Sequence, residues 1–193
     1  MSRLKTSLTK QLDIEHPILL APMGSNSGGA MASAVTEAGG LGIIGGGYGD
    51  RTSLEAEIEK AGNSRVGIGF ITWAIADKPG IVGAALERSP AALFLSFGDH
   101  TPYVAEIKRA DVPLICQVQT LEQARVALAS GANVIVAQGQ EAGGHGMIAR
   151  GTLSLVPAIV DLAGSVPVVA AGGIADGRGL AAALMLGASG VLM

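Results

Sequence analysis

The run Gln138-Gly139-Gln140-Glu141-Ala142-Gly143-Gly144-His145-Gly146 follows an apolar stretch, Ala132 to Ala137, and carries one of only three histidines in the chain. Glycines let a backbone come close to a ligand, and an imidazole among them can handle a proton. A second glycine pair, Ala170-Ala171-Gly172-Gly173-Ile174, ends the apolar run Val166 to Val169. Its backbone N–H groups could point at phosphate oxygens, with the positive end of a helix from Gly177 behind them. Two strand ends aimed at one site is the natural reading, although glycine pairs also serve plain turns. His100, in Gly98-Asp99-His100, is a secondary candidate, while His16 precedes Pro17 at the start of a strand and is assigned no chemistry. No pair of histidines or carboxylates has metal-site spacing, and there is no G-x-S-x-G nucleophile motif. The run Gly40-Leu41-Gly42-Ile43-Ile44-Gly45 matches G-x-G-x-x-G, but it overlaps a strand rather than joining strand to helix, so it reads as a tight sheet segment.

The elements that would position these residues alternate along the whole chain. Eight strand candidates run over Ile18 to Ala21, Leu41 to Ile44, Val66 to Phe70, Ala92 to Phe97, Pro113 to Val118, Asn133 to Ala137, Val166 to Ala171 and Gly190 to Met193. Seven amphipathic helices fall between them, at Gly28 to Ala38, Thr52 to Ala61, Pro79 to Arg88, Pro102 to Ala110, Leu121 to Ser130, Leu153 to Ala163 and Gly177 to Leu186. Asp50 or Thr52 can cap the second helix, Thr120 opens the fifth, and Gly131 and Gly187 follow the fifth and seventh. Strict alternation with buried strands predicts right-handed crossovers and a (β/α)8 TIM barrel of one domain over residues 1–193, incomplete at strand 8 and the final helix. Chemistry in that fold gathers at the C-terminal strand ends, where His145, His100 and Gly172-Gly173 all fall.

Composition narrows the class. Gly accounts for 29 of 193 residues and aromatics for only 3%, so the core must be built of Ala, Val, Ile and Leu in close backbone contact. A net charge of -3 without a basic run or an aromatic platform argues against nucleic acid and for a small neutral or anionic ligand. The single cysteine, Cys116, lies in a strand and reads as inert packing. It rules out an intrachain disulfide and fits a reducing compartment. The polar start, Met1 to Lys10, leads into no apolar signal segment, and the longest apolar stretch, Leu153 to Ala175, is broken by Asp161, Pro157 and Pro167. A cytoplasmic protein with no membrane partner is expected.

Taken together, the motifs resemble the FMN-dependent nitronate monooxygenases, also called 2-nitropropane dioxygenases. The matching residues are His16-Pro17-Ile18 with Ala21-Pro22-Met23, Gly39-Gly40-Leu41-Gly42, Gln138-Gly139 with Glu141 to His145, Ala170 to Ile174 with Asp176-Gly177-Arg178, and Leu186-Gly187-Ala188-Ser189-Gly190-Val191. The resemblance implies FMN across the barrel mouth. The backbone of Ala21, Pro22 and Met23 would face its ring, Gln138 would hydrogen-bond it, and Gly143, Gly172 and Gly173 would approach its phosphate. Gln117 would lie near the pyrimidine edge, where a polar group stabilises charge on the reduced ring. His145 matches the catalytic histidine, which orients the nitro group or takes the α-proton of a nitroalkane while the flavin accepts an electron and passes it to O2. The implied partners are a nitronate or nitroalkane and O2, with carbonyl compounds and nitrite as products. The chain departs from the pattern at Gly69, where the family often has Asn, and it stops before the Gly-Thr or Gly-Ser that follows strand 8 and before the C-terminal helices. Alternatives are an FMN-dependent enoyl-ACP reductase, an NAD(P)H:quinone reductase, or a noncatalytic remnant whose incomplete barrel edge would favour homo-oligomerisation.

Overall fold

A computed structural model describes residues 4–147 and 150–193, so the first three residues of the polar start Met1 to Lys10 lie outside it. In chain order the elements are α1 (Ser7–Leu12), β1 (Ile18–Leu19), α2 (Gly29–Glu37), β2 (Ile43–Gly45), α3 (Arg51–Ala61), β3 (Gly67–Ile71), α4 (Thr72–Ile75), α5 (Ile81–Leu86), β4 (Leu93–Ser96), α6 (Val104–Arg109), β5 (Leu114–Val118), α7 (Leu121–Ala129), β6 (Val134–Gln138), α8 (Thr152–Ala163), β7 (Val168–Ala171), α9 (Gly177–Met185) and β8 (Gly190–Leu192). All eight expected strands and all seven expected helices are present, with shifted ends. Each strand is succeeded by a helix as far as α9, which is the alternation of a (β/α)8 barrel.

The chain divides into two compact units, one of residues 1–19 with 115–193 and the other of residues 20–114. In the first, β5, β6, β7, β8 and β1 follow one another side by side in parallel. The three residues of β8 pair with β7 on one side and with β1 on the other, Val191 lying level with both Ala170 and Ile18. β6 and β7 are buried along their whole length, as expected of strands covered on both faces, and this is why they read as continuous apolar runs. Cys116 is 1% exposed, and burial pushes its thiol up to about 12, in keeping with inert packing.

In the second unit, β2, β3 and β4 pair in parallel. The glycines of the G-x-G-x-x-G run are packing residues: a Cβ on Gly42 would stand 1.8 Å from the carbonyl oxygen of Ala32, and one on Gly45 would stand 2.5 Å from the Gly24 nitrogen. Both positions are filled by neighbouring backbone, which bears out the tight sheet segment. Asp50, rather than Thr52, caps α3, accepting from the Ser53 N–H at 2.7 Å. Thr120 caps α7 through the Gln123 N–H at 3.1 Å. Among the described residues no helix is long and apolar enough to cross a membrane.

Candidate functional site

The residues of strongest chemical interest fall at the C-terminal ends of β5, β6 and β7, within the first unit. The parallel register sets Gln117 level with Val136 and Val118 level with Ala137, so one more step brings Gln119 opposite Gln138. The side chains meet there. Gln138 Oε1 accepts from Gln117 Nε2 at 3.1 Å and from Gln119 Nε2 at 2.8 Å, and Gln138 Nε2 donates to the backbone carbonyl of His145 at 2.9 Å. Both lone pairs of the Gln138 oxygen are used, and one N–H is left to offer. Gln119 and Gln138 are buried, at 3% and 7% exposure, whereas His145 is exposed.

The glycine-rich loop between Gln138 and His145 is tied down a second time by Glu141. Its carboxylate accepts from the Thr152 N–H at 2.8 Å and lies 2.9 Å from the Thr152 hydroxyl. The N-cap residue of α8 is Gly151, which has no side chain to offer, so Glu141 caps that helix from eleven positions earlier in the chain. The Thr152 N–H holds the Glu141 carboxyl below its ordinary range. The same Thr152 hydroxyl lies 3.3 Å from the Ala171 carbonyl and 3.0 Å from that of Gly172, and so links the loops after β6 and β7.

The two glycine loops therefore converge, as the sequence suggested. Gly172 and Gly173 both have positive φ, +110° and +71°. A Cβ on Gly172 would meet the Thr152 hydroxyl at 2.8 Å and the Ala142 nitrogen at 3.0 Å, so contact between the loops already requires a glycine there. Among the described residues, no backbone hydrogen bond engages the N–H groups of Gly172 and Gly173, and the turn is open to solvent at Gly173. Gly143 is different, because nothing lies within 4 Å of where its Cβ would stand.

One expectation needs correcting. The N-terminus of α9 offers a ligand less than expected, because the Asp176 carboxylate already accepts from the N–H groups of Arg178 at 2.9 Å and Gly179 at 3.3 Å. The Arg178 guanidinium pairs with the same carboxylate and is the main reason that Asp176 titrates below its ordinary range. A helix end capped by its own anion attracts a second one poorly.

In the second unit, Ala21 and Pro22 are half-buried and Met23 is 48% exposed. The Met23 N–H donates to the Ser27 hydroxyl, and its carbonyl accepts from Asn26 at 2.9 Å, so both backbone groups of Met23 are committed within the turn. The departure at Gly69 has a steric cause: a Cβ there would stand 2.5 Å from Pro22 Cβ, so no larger side chain fits. His100 is 8% exposed, and burial lowers its pKa, which favours the neutral imidazole. His16 is exposed at the N-terminal end of β1, away from the C-terminal strand ends.

Two residues escaped the sequence reading. Gln119 stands two positions after Gln117, on the same side of an extended strand, and that period of two was the available signal. Thr152 carried none, since its role depends on which loops the fold brings to it.

This is a (β/α)8 barrel with a polar, glycine-lined cluster at its C-terminal strand ends. The model of the nitronate monooxygenase family matches residues 5–64 and 79–193, and the chain belongs to that family. The unmatched segment holds β3 and α4, and with them Gly69. A Rhodococcus jostii protein named (3aS,4S,5R,7aS)-5-hydroxy-7a-methyl-1-oxo-octahydro-1H-indene-4-carboxyl-CoA dehydrogenase is 35% identical over all of this chain and 55% of its own length. A "Probable nitronate monooxygenase" of Staphylococcus aureus is 32% identical over 98% of this chain and 66% of its own. Among solved structures, FabK from Thermotoga maritima superposes with a TM-score of 0.87 at 36% identity, covering 98% of this chain and 61% of that one. A nitroalkane oxidase from Streptomyces ansochromogenes gives 0.82 at 28% identity, covering 97% and 67%. The chain thus spans a little over half to two thirds of the length of these relatives.

Proposed function

We propose that the chain is an FMN-dependent oxidoreductase that converts alkyl nitronates or nitroalkanes, with O2, into carbonyl compounds and nitrite. The observation that carries this reading is the placement of His145: its loop is pinned by Gln138 and Glu141 beside the Gly172-Gly173 turn, in a chain of the nitronate monooxygenase family. The residues fit the cofactor. Among the described residues, the N–H groups of Gly172 and Gly173 have no backbone partner, which suits a phosphate oxygen. Among the described residues no contact demands a glycine at Gly143, whereas a ligand lying close to the backbone would. Gln117 and the remaining N–H of Gln138 supply polar contacts to the ring system. Ala21, Pro22 and Met23 enter on the family resemblance, as backbone facing the ring.

Bound FMN would supply the electron acceptor that O2 reoxidises. His145, exposed at the rim, would take the α-proton or orient the nitro group, and the loop anchors would hold it in place while it does so. A second reading has its own support, since the R. jostii relative, named for a carboxyl-CoA substrate, aligns over all of this chain. In that reading the same barrel end would dehydrogenate a CoA thioester. NAD(P)H-dependent enoyl or quinone reduction is the further alternative.

Anaerobic titration of FMN-loaded protein separates these readings. Bleaching of the flavin by propyl-2-nitronate, with nitrite released on admitting O2, supports the first. Bleaching by NADH alone moves the reading to the reductases, and bleaching by a CoA thioester alone moves it to the second. A His145→Asn variant that keeps full nitronate turnover would remove that residue from the mechanism.

A further inference from the structure

We propose that Gln119 is a positioning residue for His145, acting through Gln138 without touching substrate; the proposal rests on the assignment of His145 to the reaction. A carboxamide can present either its oxygen or its nitrogen to a neighbour, and two donors on one side decide which. Gln119 Nε2 at 2.8 Å and Gln117 Nε2 at 3.1 Å both face Gln138 Oε1, so the Gln138 nitrogen must point the other way, to the His145 carbonyl at 2.9 Å. That bond closes a loop of six intervening residues, three of them glycines, which has little stiffness of its own.

Gln119 is the stronger of the two orienting donors, with the shorter bond and the deeper burial. It is itself anchored, its N–H donating to Gln123 Oε1 at 2.7 Å. The other end of the Gln123 carboxamide reaches Met147 Sδ at 3.7 Å, so the first turn of α7 holds the loop on the far side of His145 as well. The His145 backbone is thereby suspended between the end of β6 and the start of α7. The His145 carbonyl is held while the residue stays exposed, and a backbone fixed in this way favours proton transfer from a bound substrate.

Two near-isosteric variants test this. Gln119→Met removes the donor, and Gln119→Glu replaces it with an acceptor that opposes the Gln138 oxygen and turns the Gln138 nitrogen away from His145. The expected result is a fall in nitronate kcat of roughly threefold to tenfold for Gln119→Met, the worth of one hydrogen bond, and on the order of tenfold or more for Gln119→Glu. Nitronate KM and the thermal midpoint should be unchanged in both variants, and FMN affinity should fall only in Gln119→Glu, which moves the Gln138 N–H offered to the ring. In protein without substrate or cofactor, the His145 ring-proton resonance, assigned by its loss in His145→Asn, should move toward the position of an unstructured histidine in both variants. An unmoved resonance together with wild-type kcat would overturn the proposal. So would a parallel loss of kcat, FMN affinity and thermal stability, which would make Gln119 a structural prop. If Gln119→Met does not fold, the resonance in Gln119→Glu decides. Wild-type protein that turns over no nitronate would sink the functional reading, but the resonance comparison would still decide whether Gln119 positions His145.

Discussion

Two glycines of the candidate site look alike in sequence and do different work. A Cβ on Gly139 would stand 2.2 Å from the Thr152 hydroxyl and 2.4 Å from its backbone nitrogen, so Gly139→Ala forces one loop off the other and should cost about 1–3 kcal/mol in urea unfolding. Gly143→Ala meets nothing, and its stability should stay within about 0.5 kcal/mol of wild type while FMN affinity falls. Equal FMN affinity in the two proteins would show that the glycine at 143 serves no ligand. Glu141 brings a pH dependence. Its folded pKa is depressed below the ordinary 4.5, so the stabilisation it gives is fully present above that value and is lost as pH falls through the lower, folded one. Glu141→Gln should flatten that part of a pH series of thermal midpoints. Cys116, buried and pushed up to about 12, should resist iodoacetamide in the native protein and react once it is unfolded.

Among the elements, the α7 cap is a clean test, because among the described residues the Thr120 hydroxyl makes one hydrogen bond, accepting from the Gln123 N–H. Thr120→Ala should cost about 1 kcal/mol, read as a shift in the urea midpoint at constant slope. The period of the apolar residues made β4, β6, β7 and the long helices legible, since strands buried on both faces can only be read as unbroken apolar runs. Two short helices were not legible. The six residues of α1 start from a capping box in which Thr9, rather than Glu or Gln, answers Thr6, and α4, Thr-Trp-Ala-Ile, has the composition of a strand end. At β1 the apolar run goes on through Leu20 and Ala21, but the strand ends at Leu19. In the site, His145 and the glycine pairs could be read from residue type and spacing, and Gln138 from the family resemblance. The bond from Glu141 to Thr152 could not, because it depends on which helix start the fold brings to the loop, whereas the Asp176 cap carried a local signal, an Asp directly before the α9 start.

At the scale of the molecule, the succession of strands and helices matches solved barrels over nearly the whole chain, and the family match covers all but the start and the segment around β3 and α4. Both loops that would grip a flavin phosphate and hold the proton-handling side chain belong to one compact unit, in which β8 is paired on both sides. Binding of FMN by these residues precedes any question of substrate. The most direct measurement is the absorbance spectrum, from the near ultraviolet to the blue, of the purified chain after incubation with excess FMN and gel filtration. The account predicts a yellow, monodisperse protein whose flavin bands persist through the column and weaken in the Gly143→Ala variant. A protein that emerges folded and colourless would contradict it.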